Sequence, residues 1–428
     1  MDWTSLPVDI LNEFMVRLVV VDWITFGAVC KAWKRAADTA SSLRLRPKAE
    51  PPWLMFPADG DTPQHLAVAD VFSLSDGRRR SITLPAPPIQ SRVWIGSANG
   101  WVVTADGECE LHLLNPISGV QRSLPSITTT GYFDALPRTE GGKARRATFL
   151  EPVEMSAEDI QSSRLLKAVP LFDPSSGKYS IMMMHNPQNK LVFAREGDPK
   201  WVPLRAQYRY EDVIVYHGRF CTVTIEGLVQ TWEHDNSTMT FNPKSIAPQL
   251  MEPEENGIPL YFKKYLAESP DGNLILIWRE HYSERCDESD SDDDVSIERE
   301  EDEDDYNISC CCEEIEELEP DPTIRFQVFV LDKHPIGSEW REVHDFGGAS
   351  IFIGCNSATF FSSGEIPGLA ADCIYFTDNS LSFVWESKEL ERDIGVFDMK
   401  DKMVKPMPIL AEHIKSWPPP IWVTPSMT

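Results

Sequence analysis

Hydrophobic and polar positions change period once along this chain. Across residues 2–44, apolar side chains recur three and four positions apart; from Trp53 onward they alternate. In the first block Ile10, Leu11, Phe14, Met15 and Leu18 make one apolar stripe at helical spacing. Pro7 stands where a first helical turn loses nothing by lacking an N–H. Asp22 is placed to cap a second helix whose stripe is Phe26, Val29, Cys30 and Trp33. A unit of about 40 residues buries only a small core, so part of its apolar surface is expected to face a partner or the next domain. Residues 45–52, with Pro47, Pro51 and Pro52, read as a Pro-rich linker in which a helix cannot continue.

From Trp53 to about Leu410, within a β domain expected over 53–425, two kinds of hairpin recur. One is a pair of strands around a tight Gly turn, as in 93–103 (Asn99-Gly100) and 213–223 (His217-Gly218). The other is an apolar strand, a polar turn and a strand ending near Pro, as in 71–85, 111–125, 328–343 and 396–408. Two hairpins make four strands, and four-stranded units at a spacing of roughly 40 to 80 residues predict propeller blades. The stretches are 53–85, 93–125, 165–205, 213–243, 261–343 and 350–410. The expected fold is therefore mainly β with a small N-terminal α domain, the β part being a roughly six-bladed, kelch-like β-propeller. Such a ring hides the sheet edges that one open sheet would expose. The gap at 126–164 is expected to be a loop with a short helix from Ser156 to Leu165.

Charge alters this picture at one place. The 428 residues carry a net charge of -27, but residues 287–319 hold 18 Asp or Glu against the single basic Arg299, leaving only -10 for the rest. Residues 284–322 are thus expected to be an acidic disordered insertion at a hairpin tip in the fifth blade. The plain expectation for it is a solvated spacer. Ser289 and Ser291, each with an acidic residue three positions on, are candidate phosphorylation sites for an acidophilic kinase, and the block suits a basic partner. The remaining chain offers no basic face for nucleic acid. No run approaches the roughly 18 apolar residues of a spanning helix, so no membrane is expected. The start lacks a basic n-region, and nine irregularly spaced cysteines suit a reducing compartment, hence the cytoplasm or nucleus.

Catalytic motifs are missing. There is no Gly-rich phosphate loop and no G-x-S-x-G elbow. His281, Cys286 and Cys310-Cys311-Cys312 form the one candidate metal cluster, and three adjacent cysteines do not reproduce a C-x-x-C bite, so reactive thiols suit them better than zinc. No catalytic residue, cofactor or metal is expected. Trp94, Trp101, Trp201, Tyr216, Trp232, Trp278, Trp340, Tyr375 and Trp385 alternate with β-branched residues and read as core between blades.

Leu6-Pro7-x-Asp9-Ile10-Leu11, then Arg17-Leu18, Asp22, Phe26, Val29-Cys30-Lys31 and Trp33-Lys34, resembles the F-box, a three-helix motif that docks on the Skp adaptor of cullin–RING ubiquitin ligases. The resemblance implies that Leu6, Pro7, Ile10, Leu11 and Phe14 meet the adaptor, with Val29, Cys30 and Trp33 closing the small core or sharing the contact. The family's usual Pro after the Arg-Leu pair is replaced here by Val19-Val20-Val21, in the loop between the first two helices. The bland reading of the same residues is a helical hairpin packed on the rest of the chain. Further on, Phe352-Ile353-Gly354-Cys355-Asn356-Ser357, Cys373-Ile374-Tyr375-Phe376-Thr377-Asp378, Asp393 to Asp398 and Pro419-Pro420-Ile421-Trp422-Val423 are similar to the KIB-type propeller domain of plant F-box proteins. Together the two resemblances span nearly the whole chain. They imply a non-catalytic substrate receptor of an Skp–cullin–F-box ligase, whose propeller holds an unnamed target protein. Two other readings stand beside it: a regulatory protein that sequesters a partner through the propeller, and a small-ligand-binding or enzymatic propeller using its central channel.

Overall fold

The alternating stretches fold as six blades. The structure, a computed structural model, describes residues 6–43, 45–58, 67–135, 145–147, 153–204, 207–235, 240–255, 258–259, 262–281, 322–334, 337–364, 366, 368–378, 392–407 and 417–427. Blade two shows the plan, with strands Val93–Ala98, Trp101–Ala105, Leu111–Leu114 and Gln121–Ser123 in sequential order from the axis outward. Its inner hairpin turns at Asn99 and Gly100, both at positive φ, and its outer hairpin turns at Asn115, whose Oδ1 accepts from the N–H of Ile117 and Ser118. The two kinds of hairpin in the sequence are these inner and outer pairs. Blades three, four and five repeat the four-strand order. Strands such as Trp53–Pro57 and Trp101–Ala105 are buried at every position, because neighbouring blades cover both of their faces. Gly96 lets blades two and three close up: a Cβ there would land on the Ala168 carbonyl.

Three features depart from the sequence expectation. Blade one does not close within 53–85; its innermost strand is Ile421–Val423, paired antiparallel with Trp53, Leu54 and Met55. This pairing closes the ring. The gap before blade three is more than a loop with a helix, since it holds a three-stranded antiparallel sheet (Phe133–Ala135, Arg145–Ala147, Val153–Met155). Strands of three residues are too short to register as alternation. The predicted helix is present at Ala157–Ser163, fixed by a reciprocal cap between Ser156 and Asp159. Blade six has five strands, and Ala349–Ile353 lies parallel to Cys373–Phe376. Beyond Ile353 the chain crosses to blade two, where Ser357 N–H donates to the Ser97 carbonyl (2.7 Å) and Cys355 is buried among side chains of blades one and two.

Charged side chains tie the blades together. Lys167 of blade three pairs with Asp212 of blade four (2.5 Å), whose other oxygen accepts the Leu266 N–H of blade five (2.8 Å). Lys264 pairs with Glu252 (2.5 Å) and Glu211 (3.4 Å). Buried charges are tolerable only when paired and hydrogen-bonded in this way.

The N-terminal block forms three helices, α1 (Val8–Met15), α2 (Val20–Val29) and α3 (Lys31–Ser42). Their core is Leu11, Met15, Trp23, Phe26, Ala36 and Ala40. Helix α2 starts earlier than expected: Val19 holds the cap position and its carbonyl accepts from Trp23, so Asp22 sits in the first turn, where its charge still complements the helix dipole. Residues 45–52 are no free tether. Lys48 N–H donates to the Leu18 carbonyl (2.7 Å), and Glu50, Pro51 and Pro52 are buried. Val21 of α2 packs on the core of blades one and two. The Val19-Val20-Val21 departure is thus where the helical unit grips the ring.

The acidic block as far as residue 321, with Ser289, Ser291, Cys286 and Cys310-Cys311-Cys312, lies outside the described residues. The chain leaves the ring at His281 and returns at Thr323, which face each other across the second and third strands of blade five. In this strand order that connection opens on the face opposite the inner-hairpin turns, and the helices join the ring on the inner-hairpin side, at Trp53.

Candidate functional site

Helix α1 has two apolar faces. Leu11 and Met15 point into the helical core, Leu11 at 1% exposure, while Ile10 at 45% and Phe14 at 48% lie in solvent with Pro7 and Val8. Positions 7, 10 and 14 fall on one side of a helix, and 11, 15 and 18 on the next. One sequence stripe therefore splits into a core edge and an exposed edge. Leu11, expected on the adaptor, stands behind the exposed row and supports it. Leu6, Cys30 and Trp33 are half-buried, and Trp33 stacks on Phe26 at a ring separation of 4.3 Å. Val29, read as closing the small core or sharing the contact, is 58% exposed at the end of α2. The structure adds Ile24 and Leu43 as exposed apolar side chains. Their signal in the sequence was weak, because an isolated apolar residue at the surface is ordinary. An apolar row exposed on an ordered helix has one physical use, burial against another surface.

Beneath the helices lies Glu50. Burial pushes its carboxyl up to about 7; Trp53 and Arg80 pull it down, and Asp76 and Asp22 push it further up. This group sits where helical unit and ring meet.

A second polar cluster lies at the far end of blades five and six. Arg279, fully buried, donates through Nη2 to Asp393 Oδ2 (2.6 Å), through Nη1 to Tyr265 Oη (3.0 Å) and the Thr377 carbonyl (3.0 Å), and through Nε to Thr323 Oγ1 (2.7 Å). Burial and the neighbouring Asp393 raise Asp378 to about 6, and burial lowers His281 to about 4. A raised carboxyl such as that of Asp378 is a group that an enzyme using the channel would need. Asp378 Oδ1 accepts the Asp393 N–H (3.0 Å), and the Asp393 carboxylate accepts from Arg279 and Thr323, so the group staples His281 and Thr323, the two ends of the acidic connection, to blade six. Among the described residues no group of three or more His, Cys, Asp or Glu is arranged to hold a metal ion. None of the described helices is long and apolar enough to cross a membrane.

A three-helix unit with an exposed apolar row, fixed to one face of a closed six-bladed ring, is the build of a propeller-bearing F-box protein. The F-box domain profile matches residues 3–45 and the KIB1-4 beta-propeller profile matches residues 71–398. The chain belongs to the KIB1-4 beta-propeller family, with an F-box in front. It is similar to F-box protein SKIP23 of Arabidopsis thaliana, at 24% identity over 99% of this chain and 96% of the relative. Putative F-box protein At1g65770 of the same plant is 23% identical over 56% of this chain and 62% of its own length. Among solved structures, the β-propeller domain of Myceliophteria thermophila Cps50 (Swd1) covers 73% of this chain and 84% of its own, at 9% identity and a TM-score of 0.29.

Proposed function

We propose that this protein is the substrate receptor of an Skp–cullin–F-box ubiquitin ligase, acting in the cytoplasm or nucleus. The observation that carries the reading is the row Pro7, Ile10 and Phe14, apolar and exposed on a helix whose opposite side is packed. The adaptor covers that row together with Val29. The propeller holds the target on the face away from the helices, where the connections between second and third strands open. The buried linker and the Val21 contact make the two ends of the molecule one body, so a bound target is held at a set distance from the transferring enzyme. Catalysis is then proximity: tethering raises the effective concentration of the target's lysines, and no covalent step occurs on this chain. His281 and Thr323, which flank the acidic stretch in sequence, lie on that target-facing side, and the net -17 between 287 and 319 favours targets with basic segments.

Co-elution with a purified Skp adaptor tests the reading. A stable complex on a sizing column, lost in a Phe14→Asp variant of unchanged circular dichroism, is the expected result. A full-length protein that elutes apart from the adaptor at micromolar concentration would overturn it.

A further inference from the structure

The strand that closes the ring runs on into the helical unit. Its anchors are firm: Ser97 Oγ donates to the Trp422 carbonyl (2.5 Å), Trp94 Nε1 to the Pro419 carbonyl (2.5 Å), and Trp422 stacks edge-on against Phe352 (5.0 Å). Past Val423 the chain passes under blade two, where Asn115 Nδ2 donates to the Ser426 carbonyl (3.1 Å). Gly100, at a φ of 86°, leaves the space for this passage, since a Cβ would strike Ser426 and lie 3.2 Å from the Thr424 carbonyl. Met427 then packs, half-buried, on the helical core, as Leu6, Leu18, Trp33, Ala37 and Leu45 also do.

We propose that residues 424–427 are a strap that couples closure of the propeller to the order of the docking helices, with Met427 as a positioning residue for the docking face. The inference rests on the receptor reading above for its functional consequence. Among the described residues the helical core has six buried side chains, two of them Ala36 and Ala40, which is little to hold three helices in place. Met427 is one of six half-buried apolar side chains that complete this core among the described residues, and with Leu45 it reaches the core from outside the three helices and the residues before them. Met427 comes from beyond the closing strand, so it reaches the helices only when Ile421–Val423 has seated beside Trp53–Pro57. The N-terminal helices are made first, and they gain their final order when the receptor end is complete. A chain whose ring has not closed then presents a loosened docking face and competes poorly for the adaptor.

Hydrogen exchange on the full chain, on Met427→Asp, on Met427→Leu and on a chain ending at Ser426 tests this. Amides of residues 8–42 are expected to exchange about tenfold faster in Met427→Asp and in the shortened chain, with Met427→Leu close to the parent and blade amides unchanged. Adaptor affinity should fall several-fold in the same two variants, following the exchange. Unchanged exchange over 8–42 in Met427→Asp overturns the strap, and so does acceleration spread equally through the blades. The exchange readout needs no adaptor: a full chain that fails to bind the adaptor overturns the receptor reading and leaves the strap to be decided by exchange alone.

Discussion

In the ring, charged side chains are buried and paired; in the helical unit, apolar side chains are ordered and exposed. Arg279 has four partners around its guanidinium and almost no solvent, while Phe14 has half its surface in water. A buried ion pair is poor at adding stability but strong at fixing geometry, because every wrong arrangement leaves a charge unpaired. An exposed apolar row adds nothing to the folded chain and is worth keeping only for a partner. The ring is thus built to be one shape, and the helical unit to be finished by something else. The contrast is sharpest between Ile10 and Leu11, adjacent in sequence and similar in size, one bare and one buried.

Breaking a partner in the ring should have the largest effect. Arg279→Met leaves Asp393 without its cation and should cost about 3–5 kcal/mol in urea unfolding of the propeller. Below the unfolding transition, adaptor affinity should be untouched. Leu11→Ala should come next: it empties part of a six-residue core and is expected to destabilise the helical unit by about 2–4 kcal/mol, read as faster exchange over residues 8–42. Ile10→Ala, by contrast, should change that exchange hardly at all. If the two variants loosened the helices equally, the division of α1 into two faces would be wrong.

The junction gives a smaller, pH-dependent effect. Glu50 is raised from 4.5 to about 7, so the fold favours its protonated form. Its contribution is full below about pH 4.5 and is lost as pH rises through about 7. Glu50→Gln should therefore stabilise the protein by about 1–3 kcal/mol at about pH 8 and by almost nothing at about pH 4, measured by thermal unfolding across that range. A pH-independent difference would mean that Glu50 is not buried at the junction in solution. The smallest effect belongs to the ring's surface: Arg341→Ala removes an exposed pair with Asp332 (2.6 Å) and should leave the unfolding midpoint unchanged.

Much of this architecture was legible because it depends on local pattern. Hairpin turns such as Asn99-Gly100 and alternation in strands such as Val328 to Val343 placed the six blades, and helical spacing placed α1. What the pattern missed depends on partners distant in sequence. Nothing local in Ile421-Trp422-Val423 says that it pairs with Trp53, and nothing local in Met427 says that it lies on the helices. The parallel strand of blade six is hidden for the same reason, since pairing direction is set by the path between strands. On the docking face, periodicity put Ile10 and Leu11 in one stripe. Only the packing of α2 and α3 decides which of the two is covered, and that same packing leaves Val29 exposed.

In the proposed receptor the bare row on α1, and not merely a folded F-box, binds the adaptor. Titration calorimetry of purified Skp adaptor into the parent chain and into Ile10→Ala/Phe14→Ala tests it most directly, with hydrogen exchange over residues 8–42 confirming that the helices stay ordered. A loss of about a hundredfold in affinity, with exchange unchanged, is the expected result. A double variant that binds as tightly as the parent would contradict it.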